Sequence, residues 1–192
     1  AVMLFGVAML YGATASMNLS AIATFAKSSG NTSMLFILGA LLVLFGFLFK
    51  VATVPFHMWM PDVYEGAPTT VTSFMTTGLK AAAFAAFMRF FMALAPFDSA
   101  TQTSFSQSAG GAGLHNVLWV IAVATMFFGN VVALMQKSVK RMLAFSSIAH
   151  SGYILVGFIA GPHATYGYTG VVLYLISYVI MNIGAFAILA LM

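Results

Sequence analysis

The sequence predicts an all-α polytopic membrane protein, on three observations. Charged residues make up 5% of the 192, where an ordinary soluble domain carries roughly 25%. Hydrophobic residues make up 62%, more than a water-facing surface can accommodate. They also gather into runs of the length that a helix needs, about 20 residues, to cross the hydrocarbon of a bilayer. The chain has no cysteine, so disulfides, thiolate metal sites, iron–sulfur clusters and cysteine nucleophiles are excluded from it.

Six spans are expected in one membrane domain over 1–192, at about 1–17, 33–60, 68–95, 115–136, 141–160 and 166–192. The first begins inside the apolar run AVMLFGVAMLYG with no charged leader before it. The last ends inside AFAILALM, so the expectation is a piece of a longer chain. Polar punctuation separates the spans. Residues 18–32 hold Lys27, 61–67 hold Asp62 and Glu65, and 96–114 are rich in Ser, Gln and Gly. Lys137 to Arg141 joins two spans tightly, and Gly161–Pro162 closes the fifth.

The net charge of +4 rests on few side chains. Lys137, Lys140 and Arg141 cluster in one loop, which is an orientation signal and not a nucleic-acid patch. The positive-inside rule puts that loop in the cytoplasm, or in the matrix of an organelle, with 61–67 on the same side by alternation. The expected residence is the bacterial inner membrane, or the mitochondrial inner membrane if the source is organellar. Trp59 and Trp119 fall near opposite predicted interfaces, where indole rings anchor spans.

The second span carries the first functional signal. Lys50 lies about 17 residues into it, roughly 25 Å along a helix, and a charge at that depth costs about 2.5 kcal/mol or more. Pro55 follows. It has no N–H to offer the Val51 carbonyl, its ring clashes there, and its fixed φ suits the first turn of a new helix. The span is therefore predicted to break between Lys50 and Pro55 and to resume at Pro55. Unwound backbone in a membrane must face protein or a water-filled cavity, and broken helices are where transporters place ion sites. The competing reading, a snorkelling lysine beside a simple kink, is hard to reconcile with a mid-span position.

The third span places Lys80 about 18 Å from its start at Pro68. Thr77, Thr76, Ser73, Thr72 and Thr69 precede it at helical spacing on one face. A lysine ending a hydroxyl stripe suggests a hydrated proton route to the membrane centre. Small hydroxyl residues also mediate helix packing, which is the bland alternative. Desolvation disfavours the charged form of an amine, and an amine that can shed its proton can carry one. Arg89, near the end of this span, can snorkel outward toward Asp98.

Two histidines add to the set. His150 is in the middle of the fifth span with Ser146, Ser147 and Ser151 beside it and Tyr153 one turn on, and suits proton shuttling. His57 is either a relay group or an interfacial histidine. Glu65 and Asp62 either cap the helix starting at Pro68 or form a polar entry. In the last span Tyr174, Ser177, Tyr178 and Asn182 form a weaker polar stripe, assigned to helix packing. Paired histidines at one depth, as a bis-His haem needs, are absent. The run Gly110–Gly111–Ala112–Gly113 is no phosphate cradle, and no span holds a carboxylate pair for a sodium or calcium cage.

Two stretches carry a family resemblance. KVATVPFHMWMPDVYEGAPTT, from Lys50 to Thr70 and followed by Lys80, and KRMLAFSSIAHSGYILVG, from Lys140 to Gly157, closely resemble the subunit N family of respiratory complex I, the proton-translocating NADH:quinone oxidoreductase. The resemblance covers essentially the whole chain. Related antiporter-like subunits share PFH-x-W-x-P-D but usually continue with Ala-His where this chain has Val63–Tyr64–Glu65–Gly66; Thr70 replaces a proline common in the family.

The resemblance implies an antiporter-like fold of two inverted five-helix repeats, of which this chain would hold the last three helices of one and the first three of the other. It implies that Lys50 is the lysine of the broken seventh helix and Lys80 that of the eighth; on the chemistry of the residues themselves, both are expected to carry protons, with His57 and His150 connecting them. Ser73, Thr76, Thr77, Ser147, Ser151 and Glu65 would support the path. The family's glutamate partner of Lys50 would precede Ala1, and a further lysine would follow Met192. FMN, iron–sulfur clusters and quinone would belong to other subunits, with no cofactor or metal on this one. Partners would be other membrane subunits, the lipid bilayer, protons and water, and not nucleic acid. The alternative is a subunit of a multi-subunit cation/proton antiporter.

Overall fold

A computed structural model describes residues 1–28, 33–94, 109–161 and 166–191, with backbone alone at residue 27 and at 109–115. The described residues are helical apart from short turns. The helices are α1 (Val2–Thr14), α2 (Leu19–Ser28), α3 (Met34–Lys50), α4 (Trp59–Gly66), α5 (Thr69–Phe74), α6 (Lys80–Leu94), α7 (Ala109–Leu134), α8 (Val139–Ala160) and α9 (Gly167–Leu191). A π-helical segment, Met75–Leu79, joins α5 to α6, so 69–94 runs as one rod long and apolar enough to span a membrane. Residues 116–134, 139–160 and 167–191 are the other three such rods, and α1 with α2 forms an apolar pair bent by 66°, the geometry of a broken span or a re-entrant loop. The chain is thus an all-helical membrane protein.

The contacts sort the chain into two compact units, residues 1–48 with 86–118, and residues 49–85 with 119–192. In the first, α1 and α3 meet at glycines. A Cβ on Gly6 would stand 2.8 Å from the Gly39 carbonyl oxygen, and one on Gly46 2.5 Å from Met3 Cβ. Without a hydrophobic force between helices in lipid, such close backbone approach is what holds them. Phe47 adds an edge-on contact to Phe87 at 5.9 Å between centroids, and Phe87 lies 4.7 Å from Phe91. The predicted connection 18–32 contains α2. Asn18 Oδ1 accepts the Ser20 N–H at 3.1 Å, satisfying an orphan donor at the start of that helix.

The second unit is built around α8, the most buried of the spanning rods. It packs against α4 on one side and α9 on another, while α9 lies along α5 and the π segment. Small residues again set the spacing: a Cβ on Gly129 would come within 2.7 Å of the Ala149 nitrogen, and one on Gly152 within 2.9 Å of the Met126 nitrogen. Ala52, Met60, Tyr64, Ala144, Phe145 and Ile148 form a buried cluster where the broken segment, α4 and α8 converge.

The break occurs where Pro55 predicts it. α3 ends at Lys50, and 51–58 is non-helical. The restart differs from the prediction: α4 begins at Trp59 and not at Pro55. The proline that occupies a first helical turn is Pro61, and the helix continues through the expected 61–67 connection to Gly66. It stops because Ala67, preceding Pro68, is held extended at φ −80°, ψ 152°.

Candidate functional site

The unwound segment is buried, as backbone at membrane depth must be: Val51, Ala52 and Thr53 are fully enclosed. Ala52 sits in the left-handed region at φ 56°, a conformation costing about 1–2 kcal/mol for a residue with a Cβ. The Val54–Pro55 bond is cis. Side chains from elsewhere satisfy the backbone groups that the break frees. The Val51 carbonyl, which Pro55 cannot serve, accepts the Ser151 hydroxyl at 2.9 Å. The Val54 N–H donates to Thr125 Oγ1 at 3.1 Å. The Phe49 carbonyl accepts Trp59 Nε1 at 3.0 Å, and the two rings stack with centroids 5.8 Å apart. Trp59 therefore staples the two sides of the break together, a role that its expected place at an interface did not suggest.

Lys50 is exposed at the end of α3, whereas Lys80 is 3% exposed at the start of α6. Both line one cavity of about 270 Å³, shared with Phe49, Trp59, Met60, Tyr64, Met75 and Leu79. That volume holds several waters, since one needs only ~10–15 Å³ of the same kind of space. Lys80 Nζ donates to the Ser147 carbonyl and, at 2.6 Å, to Ser147 Oγ. Its ammonium also lies 5.6 Å from the centroid of the Tyr178 ring. Charge-assisted hydrogen bonds contribute about 1.5–3 kcal/mol each and a desolvated cation–π contact about 2, which offsets the ~2.5–3.5 kcal/mol that a mid-membrane lysine costs.

Ser147 is the hub. Besides Lys80 it accepts the Tyr178 hydroxyl at 2.7 Å, and the Tyr64 hydroxyl faces both Ser147 and Thr76. One turn along α8, His150 Nδ1 is hydrogen-bonded to the Tyr174 hydroxyl, and its ring lies 5.0 Å from that of Tyr178. Hydroxyls from α4, α8 and α9 thus surround the lysine that α6 supplies. The π segment supplies its own: Thr76 Oγ1 donates to the Thr72 carbonyl at 2.7 Å and Thr77 Oγ1 to the Ser73 carbonyl at 2.8 Å. π-Helical turns inside α-helices frequently mark functional positions, and this one directly precedes Lys80.

Of the residues singled out from sequence, Lys50, Lys80, Thr76, Ser147, Ser151 and His150 gather around this cavity and hub. Thr77 is buried and Ser73 half-buried on the same rod. His57 is set apart. It lies in the turn after Pro55, edge-on to Phe128 at 4.7 Å, and among the described residues its Nδ1 has no hydrogen-bond partner. Glu65 points to the surface, where it and Asp62 pair with Arg141 at 2.8 and 3.1 Å. Lys140 Nζ donates to the Ala67 carbonyl at 3.2 Å beside them. These basic residues tie α8 to the end of α4. Arg89 is exposed; Asp98 lies outside the described residues. Sequence reasoning assigned Tyr178 and Tyr174 to packing and passed over Tyr64 and Thr125. The signal for the tyrosines was present in their spacing with Asn182, but only the fold supplies their partners.

The family described as NADH:quinone oxidoreductase/Mrp antiporter, TM, matches residues 1–192. NADH-quinone oxidoreductase subunit N of Trichlorobacter lovleyi is 47% identical over 190 residues, 98% of this chain and 36% of that protein. The subunit of the same name from Salinibacter ruber is 47% identical over 189 residues, 98% of this chain and 35% of its own length. The chain spans about a third of the length of these curated relatives. Among solved structures, respiratory complex I from Thermus thermophilus with bound aureothin contains a chain similar at TM-score 0.73 and 36% identity, over 98% of this chain and 36% of that one. A chain of the Mrp complex from Dietzia is similar at TM-score 0.79, 24% identity, 96% and 31% coverage, a likeness of fold alone.

Proposed function

Because this chain belongs to the NADH:quinone oxidoreductase/Mrp antiporter transmembrane family, we propose that it carries protons across the bacterial inner membrane as part of the subunit N of an NADH:quinone oxidoreductase. The observation that carries this reading is the pair of lysines on one cavity, large enough for several waters, at a helix break, one of them buried against Ser147. Lys80 takes a proton from water in the cavity and holds it on three donors, two directed at Ser147. Lys50 is the second carrier. Protonating both lysines costs Coulomb repulsion across the shared cavity, so charge arriving at one favours release from the other. His150, linked to Tyr174 and with its ring beside that of Tyr178, extends the hydroxyl and imidazole series away from Lys80 along α8 and α9. Water bridges the steps that hydrogen bonds do not. Oxidation of NADH and reduction of quinone are the work of other subunits, and membrane subunits of the same complex flank this one.

The alternative, a subunit of a cation/proton antiporter, shares the fold. The identity to two curated subunits N favours the redox-driven complex. NADH-driven proton uptake into vesicles, against sodium-driven exchange without NADH, separates the two. Sodium-driven exchange alone would contradict the proposal. Lys80→Arg and Lys80→Ala in the full-length subunit test the carrier role, since arginine keeps its proton at any accessible pH.

A further inference from the structure

Ser151 has one hydroxyl hydrogen and two acceptors in reach. Its Oγ stands 2.9 Å from the Val51 carbonyl oxygen, across the fold, and 3.2 Å from the Ser147 carbonyl oxygen in its own helix. A carbonyl oxygen has two lone pairs. In Ser147 one serves the backbone N–H of Ser151 itself, within α8, and the other faces Lys80 Nζ. While Lys80 donates there, the Ser147 oxygen is filled, and the Ser151 hydroxyl goes to Val51. When Lys80 gives up that donation, a lone pair on Ser147 opens next to the same hydroxyl.

We infer that Ser151 is a positioning residue that transmits the donor state of Lys80 to the broken helix, holding the Val51 carbonyl while Lys80 donates to Ser147 and releasing it when Lys80 does not. The carbonyl in question is the one that Pro55 leaves without a helical partner, and it belongs to the residue next to Lys50. Ser151 replaces the missing N–H, but conditionally. The consequence is reciprocal: whatever loosens the 51–54 segment frees the Ser151 hydroxyl to compete with Lys80 for Ser147. The two lysines are then linked through backbone as well as through the cavity between them. The groups facing Lys80 from each packed element are Lys50 from α3, Tyr64 from α4, His150 on α8 and Tyr178 from α9. The Val51 carbonyl accepts its hydrogen bond from Ser151, across the fold.

This inference rests on the proton-carrier reading of Lys80 and is tested apart from it. The measurement is hydrogen–deuterium exchange of a peptide covering residues 49–58, in the intact membrane complex carrying the full-length subunit. Lys80→Met keeps the volume of the side chain and removes its donors; Lys80→Arg keeps donors. Lys80→Met should speed exchange in 49–58 about fivefold, the loss of one ordinary hydrogen bond, and Lys80→Arg should not. Ser151→Ala should speed it by a similar factor. In the Ser151→Ala background Lys80→Met should add nothing, because the link is already cut. Unchanged exchange in Lys80→Met, or the same acceleration with and without Ser151, would overturn the inference. Proton transport in the same preparations tests the carrier reading. Full transport by Lys80→Arg would remove that reading, while the exchange cycle still decides the link.

Discussion

Lys80 and Lys50 were both legible from sequence because a charge inside an apolar run has few structural excuses. What the sequence could not supply was the difference between them. Lys80 is enclosed and Lys50 opens onto the cavity, and that follows from Ser147 and Tyr178 closing over α6, residues far away in the chain. Ser147→Ala tests the hub. It strips an acceptor from Lys80 and Tyr178 at once, leaving buried donors short of partners at about 1–3 kcal/mol. The expected outcome is a lowered thermal midpoint of the complex and a proton-transport rate reduced severalfold. Tyr178→Phe keeps the ring beside Lys80 and removes the hydroxyl, so the expected loss of transport is smaller. Glu65 gives the opposite prediction. As a polar entry it is expected to support the path, yet it pairs at the surface with Arg141. An exposed pair of this kind is screened by solvent and contributes little, so Glu65→Gln should leave transport within about twofold of the unaltered protein. A severe loss would return Glu65 to the path.

At the scale of elements, the break is the feature that local chemistry determines and the one best read in advance. A proline lacks an N–H wherever it sits. Where the helix resumes depends on tertiary partners instead. Trp59 donating to the Phe49 carbonyl and Thr125 accepting from Val54 hold 51–58 out of helix, which no local rule for Pro55 anticipates. The π segment was invisible for the same reason, since MTTGL has no composition that separates π from α. α2 was missed because its residues, LSAIATFAKS, are polar enough to resemble a loop. Thr125→Val removes the acceptor of the Val54 N–H with little change in volume. It should lower stability by about 1–3 kcal/mol, measured as the shift in thermal unfolding of the purified complex, while Thr24→Val, at an exposed position of α2, should be near neutral. Gly129→Leu addresses the contact of α7 with α8. Even a Cβ there would press within 2.7 Å of backbone, so the variant should fail to assemble, read as loss of the subunit from membranes.

The chain spans about a third of the length of its curated relatives, and its exposed apolar faces on α7 and α9 are continuous along the spanning rods. Composition predicted the membrane and all-helical architecture, and family membership accounts for the similarity in fold to both respiratory and antiporter complexes. Neither composition nor fold distinguishes a lysine that supplies fixed charge from one that exchanges its proton, and that distinction is the central claim. The measurement that tests it is protons moved per NADH oxidised in vesicles bearing the complex, with Lys80→Arg in the full-length subunit and assembly checked independently. If Lys80 must release its proton, arginine fails as alanine does: proton movement and coupled quinone reduction both fall severalfold or more while the complex stays assembled. Full proton movement by the arginine variant would contradict the account and leave Lys80 as a packing cation held by Ser147.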